Sequence, residues 1–239
     1  MVKTCALAWR EFQSFLYSPI AYAALAIFFG VASLFFFGGD FRPGQPAQMR
    51  SFFELTIFIL AAVVPILTMR LVSEEFSRGT IETLMTAPVT DAQVILGKFF
   101  GAVLFYLLLL APTLLYVLLL VIYGSPEPGP IFTSYVGLIL VGVTFISIGL
   151  LASTCTRFQL VSAIASLVFL LIMTILAFYL LMEATGWLRK VIMYGGFTWR
   201  YQNFTRGTIQ LEDVIFFLRI TVLSLFLSVK ILESRKWRA

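Results

Sequence analysis

The sequence contains no histidine. A His general base, a Ser-His-Asp or Cys-His arrangement and a His metal ligand are therefore all excluded. Cysteine is nearly absent. Cys5 and Cys155 stand far apart in the chain, which is neither a disulfide framework nor a zinc pattern. Both are expected as reduced thiols near the cytoplasmic side. Charge is scarce as well. Only 12% of the 239 residues are Asp, Glu, Lys or Arg, about half the share in soluble domains. That is too little charge to coat a water-facing surface. Phosphate loops are missing too: Gly97-Lys98 has Ala92 where a Walker A loop needs glycine and Phe99 where it needs Ser or Thr. No Gly-x-Ser-x-Gly elbow occurs either. The chain has no recognisable nucleotide site and reads as non-catalytic.

What is present is apolar. Hydrophobic residues make up 60% of the chain, and mean hydropathy is +0.98. Such a composition excludes disorder and leaves a polytopic membrane protein. Six runs are long enough to cross a bilayer as helices: Ile20–Phe37, Phe53–Met69, Phe99–Ile122, Ile131–Ala152, Phe158–Met182 and Val214–Val229. They are continuous rather than alternating, so strands are not expected. The first reads as a retained span, since no small-residue cleavage site follows it cleanly. Pro65 and Pro112 fall inside runs two and three and predict bends. Gly149-x-x-x-Ser153 and Ser162-x-x-x-Ser166 predict close helix approach around the hairpin of spans four and five.

Six spans place both termini on one side. With the termini inside, ten Lys and Arg fall in inner segments against six in outer ones. The positive-inside rule thus gives an N-in, C-in protein of the cytoplasmic membrane. The net charge of +5 reads as an orientation signal, and no basic stripe suggests nucleic acid.

Three segments lie outside the runs. Residues 2–18 form an amphipathic helix by periodicity, with Cys5, Ala8, Trp9, Phe12, Phe15 and Leu16 on one face. Lys3, Arg10, Gln13 and Ser14 fall largely on the other, and Leu7 is an exception. Such a helix suits the inner interface, either as a lipid anchor alone or with its polar face turned to a cytoplasmic partner.

The second segment, 73–89, is heavily punctuated. Span two is expected to continue through Glu74 and Glu75 until Gly79 caps it. Thr80 can then cap a short helix over Ile81–Met85, and Pro88 ends it. Thr90-Asp-Ala-Gln93 has capping-box spacing and starts span three. Ile81, Leu84 and Met85 form an apolar knob ringed by Glu82, Thr83 and Thr86. It is either a packed connector or a knob that docks in a groove on another protein.

The third segment, 183–213, is too long and basic for a turn. It predicts short outer helices, one of them partly re-entrant, that either cap the interface or close an outer mouth. Arg219, two turns into span six, can snorkel to headgroups or pair with Glu54 or Glu183.

The run Ser73–Val89, with Gly97-Lys98 behind it, resembles the signature of ABC-2 type exporter membrane subunits. Arg10-Glu11, Ser18–Tyr22, Val64-Pro65, Thr68–Arg70, Phe204–Asp213 and Leu232–Trp237 resemble other parts of that family. The similarity is greatest to small permeases associated with gliding motility and nitrous oxide reductase maturation. The resemblance implies one ABC-2 transmembrane domain over 1–239, an all-α membrane protein of six transmembrane helices. It implies a dimer of permease subunits, a homodimer by expectation, with two separate ABC ATPase subunits that bind ATP and Mg. Membrane lipid and an outer accessory protein complete the expected partners. It also makes residues 2–18 an elbow helix carrying Trp9, Arg10 and Glu11, and the helix after span two a coupling helix. Coupling is carried over to Glu74, Glu75, Gly79, Thr80, Glu82, Leu84 and Pro88. The alternative from another class is a passive channel or scaffold subunit that assembles through the same segment.

Overall fold

The computed structural model describes residues 2–41, 48–79, 90–176 and 195–236. Among them every regular element is helical. Helix α1 covers Val2–Leu16, α2 Pro19–Phe35, α3 Arg50–Thr68, α4 Ser73–Ser77 and α5 Asp91–Leu110. Then come α6 at Leu114–Tyr123, α7 at Pro128–Cys155, α8 at Gln159–Leu171, α9 at Phe197–Thr205 and α10 at Leu211–Lys236. Two π-helical turns, Phe36–Asp40 and Ile172–Leu176, extend α2 and α8.

Five described helical stretches are long and apolar enough to cross a membrane: Pro19–Asp40, Arg50–Ser77, Asp91–Tyr123, Pro128–Cys155 and Leu211–Ser234. The chain is an integral membrane protein. The expected fifth run, Phe158–Met182, appears as the shorter apolar helix Gln159–Ile175, and its end lies outside the described residues. The bundle end that holds α1 is called proximal here, and the other end distal.

Two helices form the middle of the bundle. The apolar windows of α7 and α3 are 67% and 61% buried, against 22–33% for the other three. Apolar burial cannot gather helices in lipid, because lipid tails are as apolar as leucine. Small residues and hydroxyls do so instead. On α7, Gly142 leaves room for the Tyr106 ring of α5, and the Tyr106 hydroxyl donates to the Leu138 carbonyl at 2.7 Å. Gly137 admits Phe204 and Tyr201 of α9, whose nearest atoms would lie 2.8–2.9 Å from a Cβ there. Thr144 meets Thr221 of α10, hydroxyl to hydroxyl, at 3.1 Å.

Gly149 and Ser153 also make close approaches, but to α3 rather than across the expected α7–α8 hairpin. A Cβ on Gly149 would overlap the Thr68 side chain. Ser153 lies against the turn that follows α3. Its hydroxyl accepts from the backbone N–H groups of Val72 and Ser73 at 3.0 Å each and faces the Met69 carbonyl at 3.1 Å. This corrects the expectation of an unbroken helix through Glu75. The helix stops at Thr68, turns over residues 69–72, and restarts as α4. A helix broken inside a bundle exposes backbone donors that lipid cannot satisfy. Ser153, contributed by α7, satisfies two of them.

The expected bends differ in outcome. Pro112 sits in a 3-10 turn, Ala111–Thr113, that separates α5 from α6. Pro65 stays within α3, where the Thr68 hydroxyl bonds the Val64 carbonyl at 3.0 Å. Cys5 and Cys155 are both exposed, and neither forms a disulfide.

The glycine contacts generate a paired prediction. Gly142→Ala forces a methyl group into the Tyr106 ring and is expected to cost about 1–3 kcal/mol. Gly30 has open space around its Cβ position, so Gly30→Ala is expected to be neutral or mildly stabilising. Thermal unfolding in detergent reads both, and equal midpoints for the two variants would refute this packing.

Candidate coupling site

The proximal end gathers charge around one buried lysine. Lys98 stands two turns into α5, where water is excluded and its side chain is only 5% exposed. Its Nζ lies 2.7 Å from Glu75 Oε1 of α4 and 3.3 Å from Glu11 Oε2 of α1. A buried ammonium is tolerable only when paired and hydrogen-bonded. Here two carboxylates from two other helices supply the pairing.

Local sequence explains how α1 reaches that lysine. Gly97 and Gly101 flank Lys98 and give α5 a side-chain-free strip. Leu7 Cβ would stand 2.6 Å from a Cβ on Gly97, and Glu11 Cβ 2.6 Å from one on Gly101. α1 therefore lies directly on the α5 backbone, with Glu11 held beside Lys98. The inward face of α1 carries Ala8 and Phe15, both buried, together with Leu7, Glu11 and Phe12. Leu7, the exception to the expected apolar face, is thus a packing residue, while Trp9 is 57% exposed and Cys5 is exposed. The face is rotated from the periodicity reading because α5 selects it by its glycines.

A second tie joins the same elements. Arg70, in the turn after α3, donates to the Ser18 hydroxyl and to the Ser14 carbonyl at 3.2 Å. Its guanidinium carbon lies 4.6 Å from the centre of the Phe15 ring. The end of span two is thereby fixed to the corner between α1 and α2.

These ties surround the base of segment 80–89, which itself lies outside the described residues. On the incoming side, Arg78 pairs with Glu74 at 2.6 Å, and Gly79 has φ +71°. That left-handed conformation is the one expected of a glycine just past a helix end. On the outgoing side, Thr90 accepts from the Gln93 N–H at 3.3 Å, and the Gln93 side chain accepts from the Thr90 N–H at 3.2 Å. This is the expected capping box. The Glu75–Lys98 pair draws the two limbs, α4 and α5, together.

Of the residues expected to act in coupling, Glu74, Glu75 and Gly79 are therefore placed at this base. Thr80, Glu82, Leu84 and Pro88 lie outside the described residues. Of the elbow residues, Glu11 points into the junction, and Trp9 and Arg10 are exposed on α1. Sequence reasoning missed Lys98, Arg70 and Ser153 as site residues. The available signal was a lysine inside an apolar run and between two glycines four residues apart. Arg219 is not paired with Glu54, which binds Arg50 at 3.0 Å instead; Glu183 lies outside the described residues.

The distal end is organised separately. Asp213 of α10, nearly fully buried, takes Arg200 at 2.8 Å and Asn203 at 2.7 Å from α9. The expected short helix within 183–213 is thus present as α9, which packs against α7. The Thr133 hydroxyl bonds the Phe204 carbonyl at 2.7 Å.

The junction makes a prediction of its own. Lys98→Met leaves Glu11 and Glu75 facing each other with no cation between them. The expected loss is about 3–5 kcal/mol, larger than that of Glu11→Gln, which leaves the lysine one carboxylate. Thermal unfolding of the two variants tests it; equal or smaller loss for Lys98→Met would refute the pairing scheme.

The contacts of Lys98, Glu75, Glu74 and Arg78 thus surround the base of one loop. No curated protein matches the sequence. A family described as ABC-2 family transporter protein matches residues 5–237, nearly the whole chain. The chain belongs to the ABC-2 family of transporter membrane proteins.

Proposed function

We propose that this chain is the permease subunit of an ATP-driven ABC-2 exporter, working as a dimer with two separate ATPase subunits. Its family supports a membrane subunit served by ABC ATPases, and the motifs resemble the small permeases of gliding motility and nitrous oxide reductase maturation. In this reading the chain crosses the membrane six times, with Phe158–Met182 as the fifth crossing. Both termini and the proximal end face the cytoplasm. The chain hydrolyses nothing itself; ATP and Mg belong to the partner.

The observation that carries the reading is the Lys98 junction. Segment 80–89 enters the ATPase as the coupling helix, with Glu82, Leu84 and Thr80 at the contact and Pro88 ending the helix. ATP-driven movement of that segment reaches Glu75 and Thr90 together. Lys98 passes it to α5 and, through Glu11, to the elbow helix α1. Ser153 and Arg70 pass it to α7, α3 and α2. Several spans thus respond to one displacement, which is what a change of access across a bilayer needs. The distal pair of α9 and α10 closes the outer mouth.

A passive channel or scaffold would use the same segment for assembly but would need no route from it into the spans. Co-purification with a candidate ABC ATPase, followed by ATP hydrolysis, separates the two. The expected result is a stable complex, with Glu82→Arg lowering bound ATPase or its stimulated turnover at least ten-fold while membrane insertion is unchanged. Absence of any ATPase in both lipid and detergent would refute the exporter reading.

A further inference from the structure

The distal end holds a pocket that the coupling route does not use. Its volume is about 420 Å³, which is the size of a small-molecule site. Four parts of the chain meet there: the start of α3, the turn before α7, the first two turns of α7, and the end of α9. Its walls are held from behind. Asp40 Oδ2 accepts from the Phe52 N–H at 2.7 Å and fixes the start of α3. The Thr133 hydroxyl ties α9 to α7 through the Phe204 carbonyl. Gly207, at φ +84°, then turns directly over Pro130. The backbone around the pocket is therefore set before any ligand arrives, which lowers the cost of binding.

The charges in the pocket are not used up by one another. Arg206 and Glu127 both line it, yet neither pairs with the other or with any other described residue. Two opposite charges thus face one space and stay apart across it. Arg50 lines the pocket as well. It binds Glu54 through Nε alone, so its two terminal nitrogens remain for a ligand. Deeper in the wall, Ser134 and Thr205 are 1% and 3% exposed. Their hydroxyls donate to the Pro130 and Gln202 carbonyls at 2.6 and 3.0 Å. Each hydroxyl proton is thereby spent, and the oxygens are left to accept from a donor in the pocket. Met49, Phe53 and Ile131 supply apolar wall between these groups.

Charge balance decides which ligand fits. Arg50 and Arg206 are offset by Glu54 and Glu127, so the charges around the pocket sum to zero. A simple anion gains from the arginines but is opposed by Glu127, and a simple cation meets the reverse. An apolar molecule leaves every charged group without a partner and displaces its water, which is costly. A molecule that carries both signs gains at both ends. The geometry points to a binding site for a small zwitterion with an apolar middle. Arg206 and Arg50 take its carboxylate or phosphate, while Glu127 and the hydroxyl oxygens take its ammonium. A short apolar peptide with free ends has this chemistry, and so does the phosphoethanolamine headgroup of a phospholipid. The site rests on the pocket alone, so it is independent of any ATPase and of the exporter reading.

The test uses the full chain in detergent and isothermal titration calorimetry. The probes are leucyl-leucine, which has both charges, N-acetyl-leucyl-leucine, which has only the carboxylate, and leucyl-leucine amide, which has only the ammonium. Phosphoethanolamine and inorganic phosphate form a second pair. Leucyl-leucine is expected to bind about five-fold or more tighter than either blocked form, since each block removes one charge-assisted contact. Arg206→Gln is expected to abolish its advantage over the amide, and Glu127→Gln its advantage over the N-acetyl form. Lys230→Gln, remote on α10, is expected to bind as wild type. Tighter binding of phosphoethanolamine than of leucyl-leucine would support the same two-charge site and give it to a lipid headgroup. Equal affinity for the three peptide forms would overturn the site, and so would the absence of binding by all zwitterions at millimolar concentration. Inorganic phosphate binding as tightly as phosphoethanolamine would overturn it in favour of a plain anion site. The comparison of probes on wild type needs no variant, so it holds even where a substitution prevents folding.

Discussion

A cation inside an apolar bundle has to be answered where it stands, and the proximal half of this protein is arranged around that requirement. Lys98 cannot move to solvent without carrying α5 with it, and it cannot stay without carboxylates. Glu11 and Glu75 come from two different helices, both earlier in the chain, Glu11 lying 87 residues before the lysine. α1 is not among the candidate spans, and α4 is the five-residue end of the Arg50–Ser77 stretch, set off from α3 by a turn. Such a short helix has little stability alone. Its ion pair to Lys98 and the Ser153 hydroxyl at its start give it a fixed place. The lysine thereby converts two peripheral helices into parts of the bundle.

Membrane packing explains why the remaining contacts look as they do. Inside lipid, apolar area does not distinguish one neighbour from another. Discrimination falls to steric notches and to hydrogen bonds that have no competitor. Gly97 and Gly101 accept α1, Gly142 accepts Tyr106, and Gly149 accepts Thr68. Each notch is matched by one particular partner. Each also sits beside a polar contact: Lys98 with Glu11, Tyr106 with the Leu138 carbonyl, and Ser153 with the Val72 and Ser73 amides. The notch brings backbones close enough for the polar contact, and the polar contact fixes the register. Burial of a large side chain alone would do neither.

This division also decides what was legible in the sequence. Five of the six expected spans were, because hydrophobic length is a property of one segment. Gly79 and the Thr90–Gln93 capping box were, because a helix end is set by residues within a turn of it. The break at residues 69–72 was not. Nothing in Met69-Arg70-Leu71-Val72 interrupts a helix, and the cause, Ser153, is about 80 residues away. The face of α1 was misread for the same reason. Its periodicity allows several orientations, and only Gly97 and Gly101 on α5 choose the one that places Leu7 and Glu11 inward. Glycine spacing signals that some helix comes close but does not say which, so Gly149-x-x-x-Ser153 was assigned to the wrong neighbour.

The same logic bears on how movement can travel. A contact made of apolar side chains can slide, because one methyl group replaces another at little cost. A notch with a charged or hydrogen-bonded register cannot slide by a fraction; it holds or it lets go. The proximal junction has three such contacts, at Lys98, Arg70 and Ser153, and they link α1, α3, α4, α5 and α7. Displacement of the segment between Gly79 and Thr90 must therefore either move these helices together or break a buried ion pair. Breaking one costs several kcal/mol, whereas tilting a bundle in lipid against its exposed leucines and phenylalanines disturbs no such pair. Rigid movement is the cheaper response. The exposed apolar faces of α6, α8 and α10, which have few polar contacts to lose, are where the bundle has freedom to change its boundary.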